Sequence, residues 1–391
     1  MLASEVVARA WEAQDTTVEE IERQLARIAR TLVPPGADPA SYPPPRASVL
    51  NLIVRASDEA EAEQAAQLVA TLATRNPSRT LLLVTDPDAP ADRLDAAIHA
   101  RCAFEPGGAG RLCFEQVRLI ARGATALHVD TVVAPLLVAN LPVFLWWLGR
   151  PPRSRDPLLE LCDRLIVDSA AFPDAPAGLA ALDAHAAAAE GSLGLGDLGW
   201  RRCTPWRQII AQFFDPPDAR PYQRLIRRVT VEYAPTAGGM VSAAPLLLVG
   251  WLAACLGWEP EAATGVDGAL DLAFAADRYS AAGRRGEIIV RLRPRPRPGA
   301  EPGELQAVTL SAAPSAPGAG VGPAPATFEV RWSDSCTWAT THVVLPGVRE
   351  LTRTVPLERP STAVLLAREL ESPVADPLYA ESLALVARLV R

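Results

Sequence analysis

Two tryptophans are adjacent at residues 146–147, and tryptophan and arginine are concentrated together at residues 200–207. These residue types are favoured at the energetic centres of protein interfaces, because a large ring and a planar cation both bury surface and make directional contacts. Packing in a core is the competing interpretation of any one of these tryptophans. The residues that would bind a partner are Trp146, Trp147, Trp200, Arg201, Arg202, Trp206, Arg207 and Asp215.

Motifs for catalysis are sparse by comparison. Residues 194–199 read G-x-G-x-x-G. A dinucleotide site needs this run directly between a strand and a helix, so that the helix amino terminus meets the pyrophosphate. Here the run follows a predicted helix, which argues against such a site. Asp168 and Ser169, at a predicted strand end, could supply a nucleophile, but these residue types more often form turns and caps.

The sequence contains no lysine, so all 38 of its basic side chains are arginines. This excludes a lysine Schiff base, a lysine nucleophile and a Walker-type phosphate loop. Codon bias in a GC-rich genome is the competing explanation. Every cation is therefore a permanently charged guanidinium, which pairs with carboxylates as a fork and stacks on tryptophan.

Histidine and cysteine are spaced too widely to indicate a metal centre or a disulfide framework. The four histidines are far apart, and the six cysteines, at positions 102, 113, 162, 203, 255 and 336, form no C-x-x-C pair. We therefore predict no metal, no cofactor and a reducing, cytoplasmic environment. No secretory signal is visible, and the apolar stretch at 242–258 is short for a membrane span and predicts a buried helix.

Two arginine-rich stretches, residues 201–234 and 281–300, interrupt a chain whose net charge is −7. Arginine binds nucleic-acid phosphates well, but the chain is acidic overall and contains no nucleic-acid-binding motif. We therefore predict no nucleic-acid partner. A phosphate-bearing or acidic protein partner remains open for the first stretch, and a charged strand edge for the second.

Hydrophobic periodicity predicts three parts. Residues 1–45 contain an amphipathic helix at 4–33, with Thr17 or Asp15 capping its second half, and a proline-rich linker at 34–45. Residues 46–172 form an α/β domain, a mixed sheet with a βαβ unit and a hairpin. Residues 173–391 form an α+β domain with an antiparallel meander.

In the α/β domain, strands at 48–54 and 79–85 flank a helix at 58–75, which predicts a parallel crossover. A hairpin (97–104 with 111–120), a helix (125–138) and two strands (143–148 and 164–167) follow. In the α+β domain, the predicted helices are 175–189, 205–214, 244–256, 361–370 and 377–390. The predicted strands are 227–233, and for the meander 287–293, 304–311, 327–333 and 340–345.

Three segments have sequence patterns that are more specific than the overall composition. They are residues 140–147 (NLPVFLWW), 163–169 (DRLIVDS) and 198–217 (LGWRRCTPWRQIIAQFFDPP). They resemble the family of glucose-6-phosphate dehydrogenase assembly proteins called OpcA, and residues 76–83 and 113–116 look like family segments too. The resemblance covers residues 45–260 well and the last third only in outline.

The resemblance implies a two-domain, non-catalytic protein that assembles or allosterically activates glucose-6-phosphate dehydrogenase in the oxidative pentose phosphate pathway. It also implies thiol redox control, in which thioredoxin would be a further partner and Cys203 and Cys336 the candidate thiols. An inert buried cysteine is the competing interpretation of each.

Two other classes of function remain open. The arginines and tryptophans could form the pocket of a sugar-phosphate-sensing protein, which a ligand would stabilise without the dehydrogenase. The chain could also be an enzyme in its own right, which its missing catalytic motifs disfavour.

Overall fold

The structure, a computed structural model, divides into two compact units. The first comprises residues 1–167, 189–196 and 362–375, and the second comprises residues 168–188, 197–361 and 376–391. Each unit thus combines separate stretches of sequence, and the sequence-based boundaries near residues 45 and 172 stay predictions. The described residues are 5–32, 48–104, 111–153, 155–189, 191–266, 269–276, 286–313, 325–333, 337–372 and 374–390.

Within these residues the regular elements are strands and short helices. The strands are β1 Glu5–Ala13, β2 Leu50–Ala56, β3 Ser78–Asp86, β4 Arg93–Phe104, β5 Arg111–Arg122, β6 Val143–Trp147, β7 Arg164–Val167, β8 Gly194–Asp197, β9 Ile226–Tyr233, β10 Trp258–Val266, β11 Ala269–Ala276, β12 Gly286–Pro294, β13 Leu305–Ala312, β14 Ala326–Trp332, β15 Trp338–Leu345 and β16 Arg349–Pro356. The helices are α1 Val18–Thr31, α2 Glu59–Leu72, α3 Ala124–Leu127, α4 Val129–Val133, α5 Ala175–Ala188, α6 Leu198–Arg202, α7 Thr204–Gln212, α8 Ala243–Leu256, α9 Thr362–Leu370 and α10 Pro377–Val390.

The first sheet has the strand order β1-β4-β5-β3-β2-β6-β7-β8. β2 pairs parallel with both β3 and β6, β3 pairs parallel with β5, and β4 pairs antiparallel with β5. The predicted βαβ unit and hairpin are therefore present. β2 contains the consecutive Leu52, Ile53 and Val54, which suit a central parallel strand that is buried on both faces.

The predicted helix at 4–33 is wrong in its first half. Residues 5–13 form β1, which pairs antiparallel with β4 at the sheet edge, and the helix begins only at Val18. Thr17 is its cap, as predicted, and accepts a hydrogen bond at Oγ1 from the Glu20 backbone at 3.3 Å. The segment EVVARAWEA contains good helix formers, but pairing with a distant strand outweighs that local preference.

The predicted helix at 125–138 is also broken. It consists of α3, α4 and a 3₁₀ turn at Ala134–Leu136, with His128 between the two helices at φ −117°. Pro135 lies in the 3₁₀ turn, where its missing N–H interrupts a regular α-helical ladder. The proline-rich linker at 34–45 and the hairpin turn at 105–110 lie outside the described residues.

The second sheet has the order β10-β11-β12-β9-β13-β14-β15-β16. β9 lies between β12 and β13, parallel to the first and antiparallel to the second. The four strands predicted as one meander therefore do not follow one another without interruption. β9, which comes earlier in the chain, lies between β12 and β13. Its buried residues alternate along the strand and so contribute to the buried face of the sheet.

The predicted buried helix in the apolar stretch is α8. Its residues from Pro245 to Ala253 are all buried, and α10 packs closely against it. A Cβ on Gly250 would lie 2.5 Å from the Ser382 carbonyl oxygen, so only glycine permits this approach. No described helix is both long enough and apolar enough to cross a membrane.

Candidate functional site

The tryptophans of the 200–207 segment are core residues of the second unit. Trp200 is 2% exposed and Trp206 is 4% exposed. The Trp200 indole donates from Nε1 to Asp376 Oδ2 at 2.8 Å, and its ring centroid lies 5.3 Å from that of Tyr379. Trp206 packs edge-on against Trp332 at 6.2 Å. Both rings thus fix α6 and α7 to the rest of the unit.

Arg207 stacks on the ring of Trp200. Its guanidinium carbon lies 3.4 Å from the centroid of the indole, and its Nη2 donates to Thr204 Oγ1 at 3.0 Å. Burial lowers the pKa of the Arg207 guanidinium. The ring's electron-rich face compensates part of that burial.

A fully buried carboxylate, Asp197, lies at the start of α6. Its Oδ1 accepts hydrogen bonds from the backbone of Ser169 at 3.0 Å and of Gly199 at 2.8 Å, and Tyr379 Oη donates to its Oδ2 at 3.2 Å. Burial raises the pKa of Asp197 to about 6, although the hydrogen bonds from Ser169 and Gly199 oppose the rise. The three donors are what make a buried charge tolerable here.

Arg202 and Asp168 form a forked ion pair. Arg202 Nη1 and Nη2 donate to the two carboxylate oxygens of Asp168 at 2.9 and 2.8 Å. Burial acts against the charge of Arg202, but the hydrogen bonds to Asp168 prevail and raise its pKa. Asp168 also caps a 3₁₀ turn by accepting from the Ala170 backbone, and Ser169 is buried. The pair at 168–169 therefore forms a cap rather than a nucleophile.

The glycine run at 194–199 has a strand-to-helix context after all. It forms β8 and the first turn of α6, so our expectation that its context was wrong for a nucleotide motif is itself wrong. The helix amino terminus, however, already binds the Asp197 carboxylate. A Cβ on Gly199 would lie 2.3 Å from Ser169 Oγ, so this glycine serves close packing. The absence of a nucleotide site stays our prediction.

Trp146 and Trp147 belong to β6 in the first unit. Trp146 is 3% exposed, and its Nε1 forms no hydrogen bond within the described part of the chain. Trp147 is half-buried, with the Arg55 guanidinium carbon 5.6 Å from its ring centroid. Alternation along the strand puts the two rings on opposite faces of the sheet.

The more accessible members of the predicted surface are polar. Arg201 and Arg202 are half-buried, and Asp215 is exposed just after α7, where its carbonyl oxygen accepts from Arg220 at 3.2 Å. Sequence reasoning missed Asp376 and Tyr379, which lie far along the chain. Asp376 immediately precedes a proline that begins α10, a common helix start that could have been recognised.

The cysteines differ from one another in environment. Cys203 is free and buried, and burial raises its pKa to about 12, while Cys336 lies outside the described residues. Cys102 is disulfide-bonded, and the β4–β5 register places it opposite Cys113. The cysteine spacing did not predict this bond. Nowhere in the described ranges do three or more potential metal ligands cluster.

Comparison with known proteins identifies two family domains. Residues 69–184 match the N-terminal domain of a glucose-6-phosphate dehydrogenase subunit, and residues 193–383 match its C-terminal domain, both of the OpcA type. The chain is 32% identical over 195 residues to the OxPP cycle protein OpcA of Nostoc punctiforme, which covers 48% of this chain and 40% of that protein. It is 27% identical over 334 residues to the OpcA protein of Synechococcus elongatus, covering 82% of this chain and 69% of that one.

A third relative, the OpcA protein of Synechocystis, is 29% identical over 195 residues, or 49% of this chain and 39% of that protein. The alignments to the Nostoc and Synechocystis proteins thus span about two fifths of those relatives. The two domain matches follow one another in order along most of the sequence. The chain belongs to the OpcA family of glucose-6-phosphate dehydrogenase assembly proteins.

Proposed function

We propose that this protein is a non-catalytic assembly factor and allosteric activator of glucose-6-phosphate dehydrogenase, and that it thereby supports the oxidative pentose phosphate pathway. The observation that carries the proposal is the match of both halves of the chain to domains of a glucose-6-phosphate dehydrogenase subunit. The names of the relatives point to the same pathway.

The geometry of the 168–207 network supports binding rather than catalysis. Asp168, Asp197 and Asp376 are each held by hydrogen bonds within the second unit, to Arg202, to backbone amides and to Trp200. A carboxylate in such a position stabilises its surroundings instead of exchanging protons with a substrate. The network is a rigid support for the residues at its surface.

Activation follows from linkage. The protein must bind the dehydrogenase state with high substrate affinity more tightly than the other state, and a coupling of about 1–3 kcal/mol changes that affinity roughly 5–150-fold. The contacts that this protein makes must therefore differ between the two states of the dehydrogenase.

The buried positions of Trp200 and Trp206 refine the proposed docking surface. These rings support it from beneath, and direct contacts come from Arg201, Arg202 and Asp215, which are at least partly accessible. The Arg201 guanidinium would pair with a carboxylate of the enzyme as a two-pronged hydrogen bond, whereas both Nη atoms of Arg202 already bind Asp168. Trp147, half-buried in the first unit, would contribute separately.

Titration of this protein into its dehydrogenase tests the proposal. We expect the KM for glucose 6-phosphate to fall, or the oligomeric state of the enzyme to change, in a saturable manner. If neither changes at any concentration, the proposal fails, and dehydrogenase-independent turnover by the purified chain would contradict its non-catalytic part.

Substitution then locates the surface. Arg201→Ala should weaken binding of the dehydrogenase while the free protein stays folded at the assay temperature, which thermal unfolding checks. Arg388→Ala is a matched control, because this α10 arginine is exposed in the same unit and pairs only at the surface with Glu259. Equal affinities of the two variants would remove Arg201 from the interface.

A further inference from the structure

The first unit contains a cavity that the proposed docking surface does not use. Its volume is about 590 Å³, and it lies between α2 and side chains of β3, β4 and β5. Pockets for small ligands commonly measure roughly 300–1,000 Å³, so the size fits a metabolite. Alternation along β4 places His99 and Arg101 on the cavity side, while Ile98 and Ala100 are buried on the other side.

Small side chains of α2 form one wall of this cavity. Ala66, Ala70 and Ala73 recur at helical spacing and share one face of the helix and its end. Each of these side chains ends at Cβ and therefore leaves room that a leucine would fill. Gln116 of β5 donates from Nε2 to the Ala66 carbonyl oxygen at 2.9 Å and so fixes the helix to the floor.

Arg101 is the cation at this cavity that is available to an outside anion. Arg118 is paired with Glu63, and Arg122, farther along the same face, is paired with Asp95. Arg101 is exposed, and it forms no ion pair with any carboxylate in the described part of the chain. An exposed guanidinium beside a cavity favours a phosphate or carboxylate, which it can bind with two hydrogen bonds.

An aromatic ring lies next to that cation. Phe114 of β5 is directly opposite Arg101 in the antiparallel register, is only partly buried and lines the cavity. A planar apolar group could stack on this ring and contact the alanine wall, since aromatic faces favour offset stacking. The cation and the ring together select a ligand that has both features.

We propose that this cavity binds a small organic anion that combines a planar ring with a phosphate group, as a mononucleotide does. The ring packs between Phe114 and the alanines of α2, and the phosphate pairs with Arg101, with His99 as a second donor on the same strand. The site goes beyond the proposed function and does not depend on the dehydrogenase.

Calorimetric titration of the full chain with AMP tests the site, with adenosine and ribose 5-phosphate as separate arms. We expect saturable AMP binding with a Kd of about 1 mM or lower, and at least tenfold weaker binding of each partial ligand, which is about 1.4 kcal/mol. Arg101→Gln should weaken AMP binding about tenfold, because the charge-assisted pair is lost.

Two α2 variants locate the ligand. Ala70→Glu places a carboxylate in the cavity and should abolish AMP binding, whereas Thr71→Glu adds the same charge at an exposed neighbouring position that does not line the cavity. The proposal is overturned if AMP shows no saturable binding, or if Arg101→Gln and Ala70→Glu both bind it normally. Ribose 5-phosphate binding as tightly as AMP would also overturn it. None of these results bears on the dehydrogenase proposal.

Discussion

Tyr379 donates a hydrogen bond from Oη to Oδ2 of the fully buried Asp197, at 3.2 Å, across 182 residues of sequence. The same tyrosine packs its ring on Trp200, whose indole binds Asp376. Tyr379 of α10 thus contacts both Asp197, which caps α6, and Trp200, the buried ring of α6. The carboxyl-terminal helix is therefore a structural part of the proposed partner-binding segment.

Tyr379→Phe should destabilise the second unit by about 1–3 kcal/mol, because it leaves a buried carboxylate with one donor fewer. Urea unfolding measures the change. Tyr222→Phe is the matched control, since Tyr222 is equally buried but its hydroxyl bonds to no other described residue. If both variants lose the same stability, the hydrogen bond to Asp197 contributes nothing.

Asp197 should make stability depend on pH. Its pKa is raised from 3.8 to about 6 in the folded protein, so the native state binds more protons than the unfolded state between these values. The contribution of Asp197 is therefore most favourable below pH 4 and is lost as the pH rises through 6, by up to about 3 kcal/mol. Asp197→Asn removes this titration and keeps an acceptor oxygen.

The pH effect is measured as the unfolding free energy of the native protein minus that of Asp197→Asn. We expect this difference to fall between pH 4 and pH 7.5. A difference that stays constant over that range would show that Asp197 titrates normally.

Glu369→Gln should cost the first unit about 3–5 kcal/mol, because it leaves the Arg164 guanidinium buried without a counter-charge. The two side chains are 2% and 3% exposed. Glu371→Gln, two residues along, breaks an exposed pair with Arg75 and should cost at most about 1 kcal/mol. Urea midpoints of the two variants compare them directly, and similar shifts would refute the distinction.

Thiol labelling should separate the free cysteines. Cys203 and Cys162 are buried with pKa values raised by burial to about 12, whereas Cys255 is exposed. We expect iodoacetamide to modify Cys255 in the native protein and the other two only after unfolding, as mass spectrometry of peptides would show. Rapid native labelling of Cys203 would restore it as an accessible redox thiol.

The sequence predicted elements whose cause is local or repetitive. The consecutive Leu52, Ile53 and Val54 of β2 and the cap at Thr17 were recognisable, because burial on two faces and amide capping leave direct patterns. β1 could not be recognised from the sequence, since its alanine and glutamate suit a helix and only pairing with β4 makes it a strand. β8 was hidden in a glycine run that lacks any strand-forming pattern beyond Leu195.

The candidate site also has features that the sequence predicted and features that it did not. Trp200 and Arg207 were recognisable by residue type, but their burial was not, because it depends on Asp376 and Tyr379 more than 170 residues away. The cavity beside α2 left no signal beyond the alanines of the helix, which read equally well as helix formers. Long-range packing, and not composition, decides which of these arginines reaches solvent.

Because each unit is built from separate stretches of sequence, removal of one part of the chain can affect both units. Loss of the segment after residue 361 would remove α9 from the first unit and α10 from the second together. Truncation at residue 361 would therefore damage both units at once, and neither unit is one continuous stretch of sequence that could be transferred to another protein by itself.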